Sequence, residues 1–249
     1  HWILQRAIGF RNGIRSLSDL QLQNLNFPDK DVIINRYGLD SYYHYDSGAD
    51  FTSGSTFNSV KIINKRGNIS SMNSLFRRAD MKTLELVNDG GIFSPTDLAG
   101  FTEFCGSLTS YPNTIEYHRC TNIGWICECC YALTEIPSYY SVTNEEERVN
   151  TLENTFGGDN GFTVADQAFN QCVNLTKIGP VFDCRKLNPG SNGTPYLMFN
   201  NCSNLSDVRF KNLSNGNWDF STSILNMDVD SIKYSIENLA YQPEHTWTN

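Results

Sequence analysis

The sequence lacks the patterns that mark most enzymes and membrane proteins. No apolar run approaches the ~18 residues of a membrane helix, so no membrane insertion is expected. Nucleophile elbows, Walker loops, dinucleotide fingerprints and His-Glu-x-x-His motifs are absent, and the 249 residues hold only four histidines. Positive charge is scarce and scattered, with 19 Lys and Arg against 27 Asp and Glu, which argues against nucleic acid as a partner.

What the chain does contain is a repeated motif of the form Cys-x-x-Leu-x-x-apolar. The Cys position recurs at Cys105, Cys130, Cys172 and Cys202, with Ala79 taking the same position in an eroded earlier copy. Most intervals are 25 to 30 residues, and one interval is 42. Periods of this length are typical of solenoids, in which each coil buries its apolar side only against its neighbours.

The repeat also predicts which residues stack. Two ladders of buried side chains are expected along the solenoid, one of leucine and one of mixed apolar residues: Leu108, Leu133, Leu175 and Leu205; and Tyr111, Ile136, Ile178 and Val208. Pro112 and Pro137 should end their strands, because proline cannot donate to a ladder of hydrogen bonds. We therefore predict an α/β fold, an irregular solenoid with one short parallel strand per coil.

The long interval predicts a helical insertion at residues 141–161 of the solenoid. Thr143 and Glu146 have the spacing of a capping box at a helix start. Val149, Leu152 and Phe156 then have the spacing of one helix face.

The motifs resemble the BspA-like leucine-rich repeats, in the variety of about 25 residues found in surface proteins of gut bacteria and their phages. The segments that carry the resemblance are Leu108–Pro112, Cys130–Pro137 and Met198–Leu205, and the resemblance extends over roughly residues 60–240. It implies an adhesive or structural protein without catalytic machinery, placed outside the cell, on a cell surface or on a virion.

The two ends of the chain are predicted to be caps, since a solenoid exposes apolar surface at both ends. Residues 1–58 form the expected N-terminal cap, residues 59–222 the solenoid, and residues 223–249 a capping helix and tail. In that helix Asp228 or Asp230 is the expected N-cap. Its expected apolar stripe consists of Val229, Ile232, Ile236 and Leu239.

The eight cysteines allow three interpretations. Four occupy one repeated position, which favours small, buried, reduced side chains with a packing role. A disulfide that involves Cys120 is an alternative. The run of His118, Cys120, Cys127, Cys129 and Cys130 also suggests zinc, but its spacing is not that of a zinc knuckle. We expect no metal and no other cofactor.

The predicted function is binding rather than catalysis. The catalytic alternatives are a general base at His44, beside Asp46 or Asp50, an active site in the insertion at residues 141–161, and a fragment of a larger catalytic chain. The candidate binding face consists of residues expected to point outward from successive coils: Glu85, Ser110, Glu135, Lys177, Asp207 and Arg209, together with Tyr139 and Tyr140. The expected partner is a host-surface protein or a glycan. A structural spacer that docks to neighbouring subunits is the alternative, with a homo-oligomer expected in a phage fibre.

Overall fold

A computed structural model describes residues 56–187, 197–213 and 226–239, together with the backbone of two strands at residues 2–3 and 26–36. Within these residues the chain is a parallel β-solenoid of about six turns. His44, Asp46 and Asp50 lie outside the described residues, as do most of the predicted N-terminal cap and the end of the predicted C-terminal tail.

Strands on one side of the solenoid form two parallel sheets, which carry the candidate binding face. In the first coils one sheet joins β1 (Trp2–Ile3), β2 (Asn26–Arg36), β3 (Thr56–Asn64) and β5 (Asp80–Asn88). In the last coils β7 (Glu135–Ile136), β9 (Lys177–Asp183) and β10 (Asp207–Lys211) pair in parallel. Apolar residues alternate inward along the strands, as Met81, Leu84 and Leu86 do in β5.

A second side of the solenoid also carries strands. There β4 (Gly67–Ser71) pairs with β6 (Gly91–Asp97), and single bridges continue the pairing through Phe93–Ile115, Asp97–Asn122 and Asn122–Val164. The prediction of one short strand per coil is therefore too simple. The early coils have this second strand, and each strand buries an apolar side chain in the core, Ile69 in β4 and Phe93 in β6.

Helix is sparse in the described residues, which makes the chain a β-solenoid rather than an alternating α/β array. It consists of α1 (Glu145–Asn150), one 3₁₀ turn (Leu152–Asn154) and α2 (Val229–Glu237). The 3₁₀ turn leads directly into β8 (Thr155–Phe156), which pairs with β9.

The third side of the solenoid is a turn that repeats its backbone geometry coil after coil. Two residues in each turn have a positive φ, of 52° to 63°. One lies immediately before the Cys position, and the other lies five residues before the Cys position. The first set is Arg78, Phe104, Cys129, Gln171 and Asn201, and the second is Ser74, Gly100, Trp125, Gln167 and Leu197. Because only one of these ten residues is glycine, this left-handed geometry has no clear composition signal in the sequence.

The two predicted ladders are confirmed. Leu108, Leu133, Leu175 and Leu205 are fully buried in one core. Equivalent positions of neighbouring coils are hydrogen bonded, as where Thr176 N–H donates to Thr134 O at 2.8 Å and Ser206 N–H donates to Thr176 O at 3.0 Å. In the later coils the core is filled by stacked phenylalanines, including Phe169 on Phe199 at 5.6 Å between ring centroids.

Candidate binding face

The predicted face residues lie on one side of the solenoid. Thr83 bridges Ser110, and Glu135 pairs with Lys177, which pairs with Asp207. Glu85, Ser110 and Glu135 are exposed, whereas Lys177 and Asp207 are half-buried. The face is therefore open at its early coils and partly covered at its late coils.

A groove opens on this face where Pro112 and Pro137 stand at the same position of consecutive coils. Its volume is about 490 Å³. Proline has no N–H to donate, so the ladder of hydrogen bonds cannot continue through these two residues. The groove is lined by Thr83, Leu84, Glu85, Leu86, Thr109, Ser110, Tyr111, Pro112, Asn113, Thr134, Glu135 and Pro137.

The groove wall is polar and partly anionic. Glu85 forms an ion pair of 2.8 Å with Lys61, and Glu135 is exposed. The hydroxyl of Thr109 donates to the carbonyl of Lys82 at 2.9 Å. Carboxylate groups accept hydrogen bonds, and amide and hydroxyl groups both accept and donate them, so the wall suits a ligand that is rich in hydroxyl groups.

Tyr140 stands beside the groove with its side chain in solvent. The residue is 58% exposed, and its N–H donates to the carbonyl of Asn113 at 2.8 Å, which holds it against the groove wall. Its ring lies 4.6 Å from that of Tyr139, centroid to centroid. The ring is therefore supported from one side and free on the other.

Tyr139 does not point outward, contrary to the prediction. It is buried, its hydroxyl donates to Glu116 Oε1 at 3.3 Å, and its N–H donates to Asn154 Oδ1 at 2.7 Å. Burial raises the pKa of its hydroxyl, and the neighbouring Tyr140 and Glu116 raise it further. Tyr139 is thus a support for Tyr140.

The prediction for Arg209 is also wrong, because the inserted segment covers the late part of the face. Arg209 is only 4% exposed. Its Nε donates to Glu145 Oε1 of α1 at 3.1 Å, and its Nη1 donates to Asp207 Oδ1 at 3.0 Å. A second buried arginine, Arg148 of α1, donates to Asp207 Oδ1 at 2.7 Å and to the carbonyls of Ile178 and Gly179 at 2.7 and 2.9 Å.

Gly179 is required for the close packing of β9 against the chain that follows β7. A Cβ at this position would lie 2.3 Å from the backbone nitrogen of Ser138, well inside van der Waals contact. Nothing in the sequence pattern of the insertion indicates that it folds back over the face or that Arg148 contacts β9 there.

The helix in the insertion is shorter than predicted and begins one residue later. Asn144 is its N-cap, with Oδ1 accepting from Glu147 N–H at 2.9 Å, and the Glu147 carboxylate accepts from Thr143 N–H. Thr143 and Glu146 therefore do not form the capping box. The helix ends before Leu152, which is exposed, and Phe156 is a buried strand residue.

The repeated Cys position has the packing role predicted for it. All eight cysteines are free and buried. Each thiol in the repeat donates to a carbonyl of the preceding coil, and that carbonyl lies three residues before the preceding coil's own Cys position. The four hydrogen bonds, of 2.9 to 3.1 Å, run from Cys105 to Phe76, Cys130 to Thr102, Cys172 to Cys127 and Cys202 to Phe169. Burial raises the pKa of these thiols, that of Cys202 to about 12.

The zinc alternative finds no support in the geometry. Cys120 donates to the carbonyl of Asn122 at 3.4 Å, and His118 faces Asp159 at 3.9 Å. Across residues 56–187, 197–213 and 226–239, no three His, Cys, Asp or Glu side chains converge as a metal site would require.

The groove residues that sequence reasoning missed are Thr109, Asn113 and Thr134. The signal that could have found them is the recurrence of proline at one position of two consecutive repeats, which opens the sheet between the coils.

Comparison with known proteins returned no matching family model, no matching curated protein and no matching solved structure. Neither helix in the described part of the chain has the length and apolar character needed to cross a bilayer.

Proposed function

We propose that this chain is a non-enzymatic binding module that recognises a glycan in the groove between the coils of Pro112 and Pro137. The observation that carries the proposal is the pairing of a polar groove with an exposed aromatic ring. The apolar face of a sugar ring packs against an aromatic side chain, while its hydroxyl groups need hydrogen-bond partners such as Glu135 and Asn113.

The charge of the groove selects among glycans. Glu85 and Glu135 both line the groove, and the whole chain carries a net charge of -8. An acidic sugar would be repelled, so the ligand in this proposal is neutral or amine-bearing. The setting is the one that the resemblance to BspA-like repeats implies, a bacterial surface or a phage tail.

The test is a glycan array with the purified chain, followed by titration of a bound glycan with variants. Tyr140→Ala and Glu135→Gln should each weaken binding at least about tenfold, equal to about 1.4 kcal/mol. Tyr131→Ala and Glu146→Gln are matched controls, because both residues are exposed away from the groove. An array without hits, or a Tyr140→Ala variant that binds as the parent does, contradicts the proposal.

Cell binding that survives enzymatic removal of glycans would point instead to a host protein as the ligand.

A second candidate function is a structural component that docks to a neighbouring subunit through its C-terminal end. It is favoured by α2, which lies against the last strand. The hydroxyl groups of Ser231 and Ser235 accept from Val208 N–H and Phe210 N–H of β10 at 3.1 and 3.2 Å. In this proposal α2 covers donors that an edge strand would otherwise present to other chains, and the exposed apolar side chains of α2 form the docking surface instead.

A further inference from the structure

The apolar stripe of α2 faces solvent rather than the solenoid. Ser231 and Ser235 are the buried residues of the helix. Val229, Ile232, Ile236 and Leu239 are exposed by 78%, 42%, 62% and 49%. This corrects the expected use of the stripe: the helix covers β10 with its serines, because hydroxyl groups can accept from the strand's N–H groups and apolar side chains cannot.

Four exposed apolar residues, three on α2 and Leu239 just after its C-cap Asn238, indicate an interaction surface, since soluble proteins rarely leave such patches uncovered. The question is what covers this one. Its spacing supplies an answer, because the four positions follow one another by three, four and three residues. That spacing reads the same from either end and has its midpoint at Tyr234.

A palindromic stripe is self-complementary when two copies meet antiparallel. About a two-fold axis at residue 234, Val229 of one copy lies opposite Leu239 of the other, and Ile232 lies opposite Ile236. Isologous interfaces have this property, in which residue i contacts residue j and residue j contacts residue i.

The charges beside the stripe fit the same arrangement. Lys233 and Glu237 are exposed by 69% and 60% on one flank of the stripe, and within one chain they are 4.0 Å apart. In an antiparallel pair each flank faces its own copy. Lys233 then lies nearly level with Glu237 of the second copy, which gives two equivalent ion pairs across the axis.

We infer that α2 is a homodimerisation helix that packs antiparallel against α2 of a second copy of this chain. The inference rests on the second candidate function and names the neighbouring subunit. It is independent of ligand binding in the groove. A stripe of four side chains is smaller than the ~800 Å² per partner of a standard interface, so the dimer is reversible and has a Kd in about the micromolar to millimolar range.

The dimer would present two grooves at once. A second binding event within one particle is favoured by effective concentration, so a weak monovalent module gains avidity on a surface that displays many copies of its ligand.

Sedimentation equilibrium of the full chain, over about 1 μM to about 1 mM, tests the inference across the Kd range of small interfaces. The parent should show reversible dimers, and Ile232→Lys and Ile236→Lys should each weaken association at least about tenfold. Val173→Lys is the matched control, because Val173 is exposed on another part of the chain. Unchanged melting temperatures would show that the helix variants remain folded.

Cysteine variants test the orientation, since the eight native thiols are buried. An Ile232→Cys chain mixed with an Ile236→Cys chain should form a mixed disulfide dimer faster than either chain alone. A monomer at all concentrations overturns the inference, as does dimerisation that Ile232→Lys leaves intact, or preferred cross-linking of Ile232→Cys to itself. A chain that dimerises only after removal of residues 240–249 would show that its own tail covers the stripe, which also overturns it.

Glycan titration of the Ile232→Lys variant separates the two proposals. Monovalent affinity should equal that of the parent, so loss of dimerisation and loss of ligand binding are read independently.

Discussion

At the residue scale, the molecule is held by one small side chain repeated in register. A thiol at the repeated position fills a narrow bend and also donates to the coil before it, as Cys172 does to the carbonyl of Cys127 at 2.9 Å. Alanine fills the bend without donating, which is what the eroded coil shows at Ala79. The repeated position therefore requires a small side chain, and a hydrogen-bond donor there is an additional, secondary contribution.

The same bend requires left-handed backbone geometry, and neighbouring hydrogen bonds offset its conformational cost. A bulky residue in the left-handed region is unfavourable by about 1 kcal/mol or more, yet Phe104 and Trp125 both adopt it. The compensation is visible in the ladder beside them: Phe104 N–H donates to Glu128 O of the next coil at 2.7 Å, and Trp125 N–H donates to Asp166 O at 2.9 Å.

The leucine ladder gives a direct prediction of stability. Leu175→Ala should lower the free energy of unfolding by about 2–5 kcal/mol, because the residue is fully buried and its removal leaves a cavity. Leu152→Ala is the control: Leu152 is 45% exposed, and its loss should cost less than about 1 kcal/mol. Urea denaturation measures both. Equal values for the two variants would mean that Leu175 carries no core packing.

At the element scale, the inserted segment is held by contacts that cannot be predicted from its own sequence. Arg148 extends from α1 to the strand backbone, where its guanidinium satisfies two carbonyls and pairs with Asp207. An arginine in a short polar helix usually faces water. Here it is buried because the carbonyls of Ile178 and Gly179 and the carboxylate of Asp207 satisfy its guanidinium.

Replacing this arginine should release the insertion and leave the solenoid in place. Arg148→Met leaves carbonyls of β9 short of a donor and Asp207 short of a partner, so we expect a loss of about 3 kcal/mol. Limited proteolysis should then cut within residues 141–161 before any other described segment. Arg119→Met, a change at an exposed arginine, should leave both measurements unchanged. Early cleavage in the coils instead would show that the insertion is integral to them.

Sequence reasoning succeeds where spacing alone determines structure and fails where distant segments meet. The coils and both ladders follow from Cys-x-x-Leu spacing, because each coil must bury the same positions. The prediction that Arg209 points outward is wrong because the residue pairs with Glu145, which lies 64 residues away in the sequence. The face of α2 was misread for the same reason: periodicity identifies a stripe, but only the neighbouring strand decides that serines face it.

At the scale of the whole molecule, each coil contacts its neighbours, so stability should depend on position along the solenoid. Nearest-neighbour coupling makes a lesion in a terminal coil local, whereas a lesion in a central coil weakens two interfaces. Leu133 and Leu205 are equally buried and occupy the same position of the leucine ladder, Leu133 in a central coil and Leu205 in a late coil. They are therefore a matched pair for measuring how far a defect spreads.

Hydrogen exchange followed by mass spectrometry distinguishes the two positions. In Leu205→Ala, exchange should accelerate in residues 197–213 and 226–239, while residues 56–130 keep the protection of the parent chain. In Leu133→Ala, exchange should accelerate on both sides of the lesion, because the coils before and after it each lose a packed neighbour. Uniform acceleration in Leu205→Ala would show that the coils unfold as one cooperative unit. The groove between the coils of Pro112 and Pro137 would then depend on the integrity of the far end of the solenoid, and substitutions in the last coil would weaken ligand binding without touching the ligand.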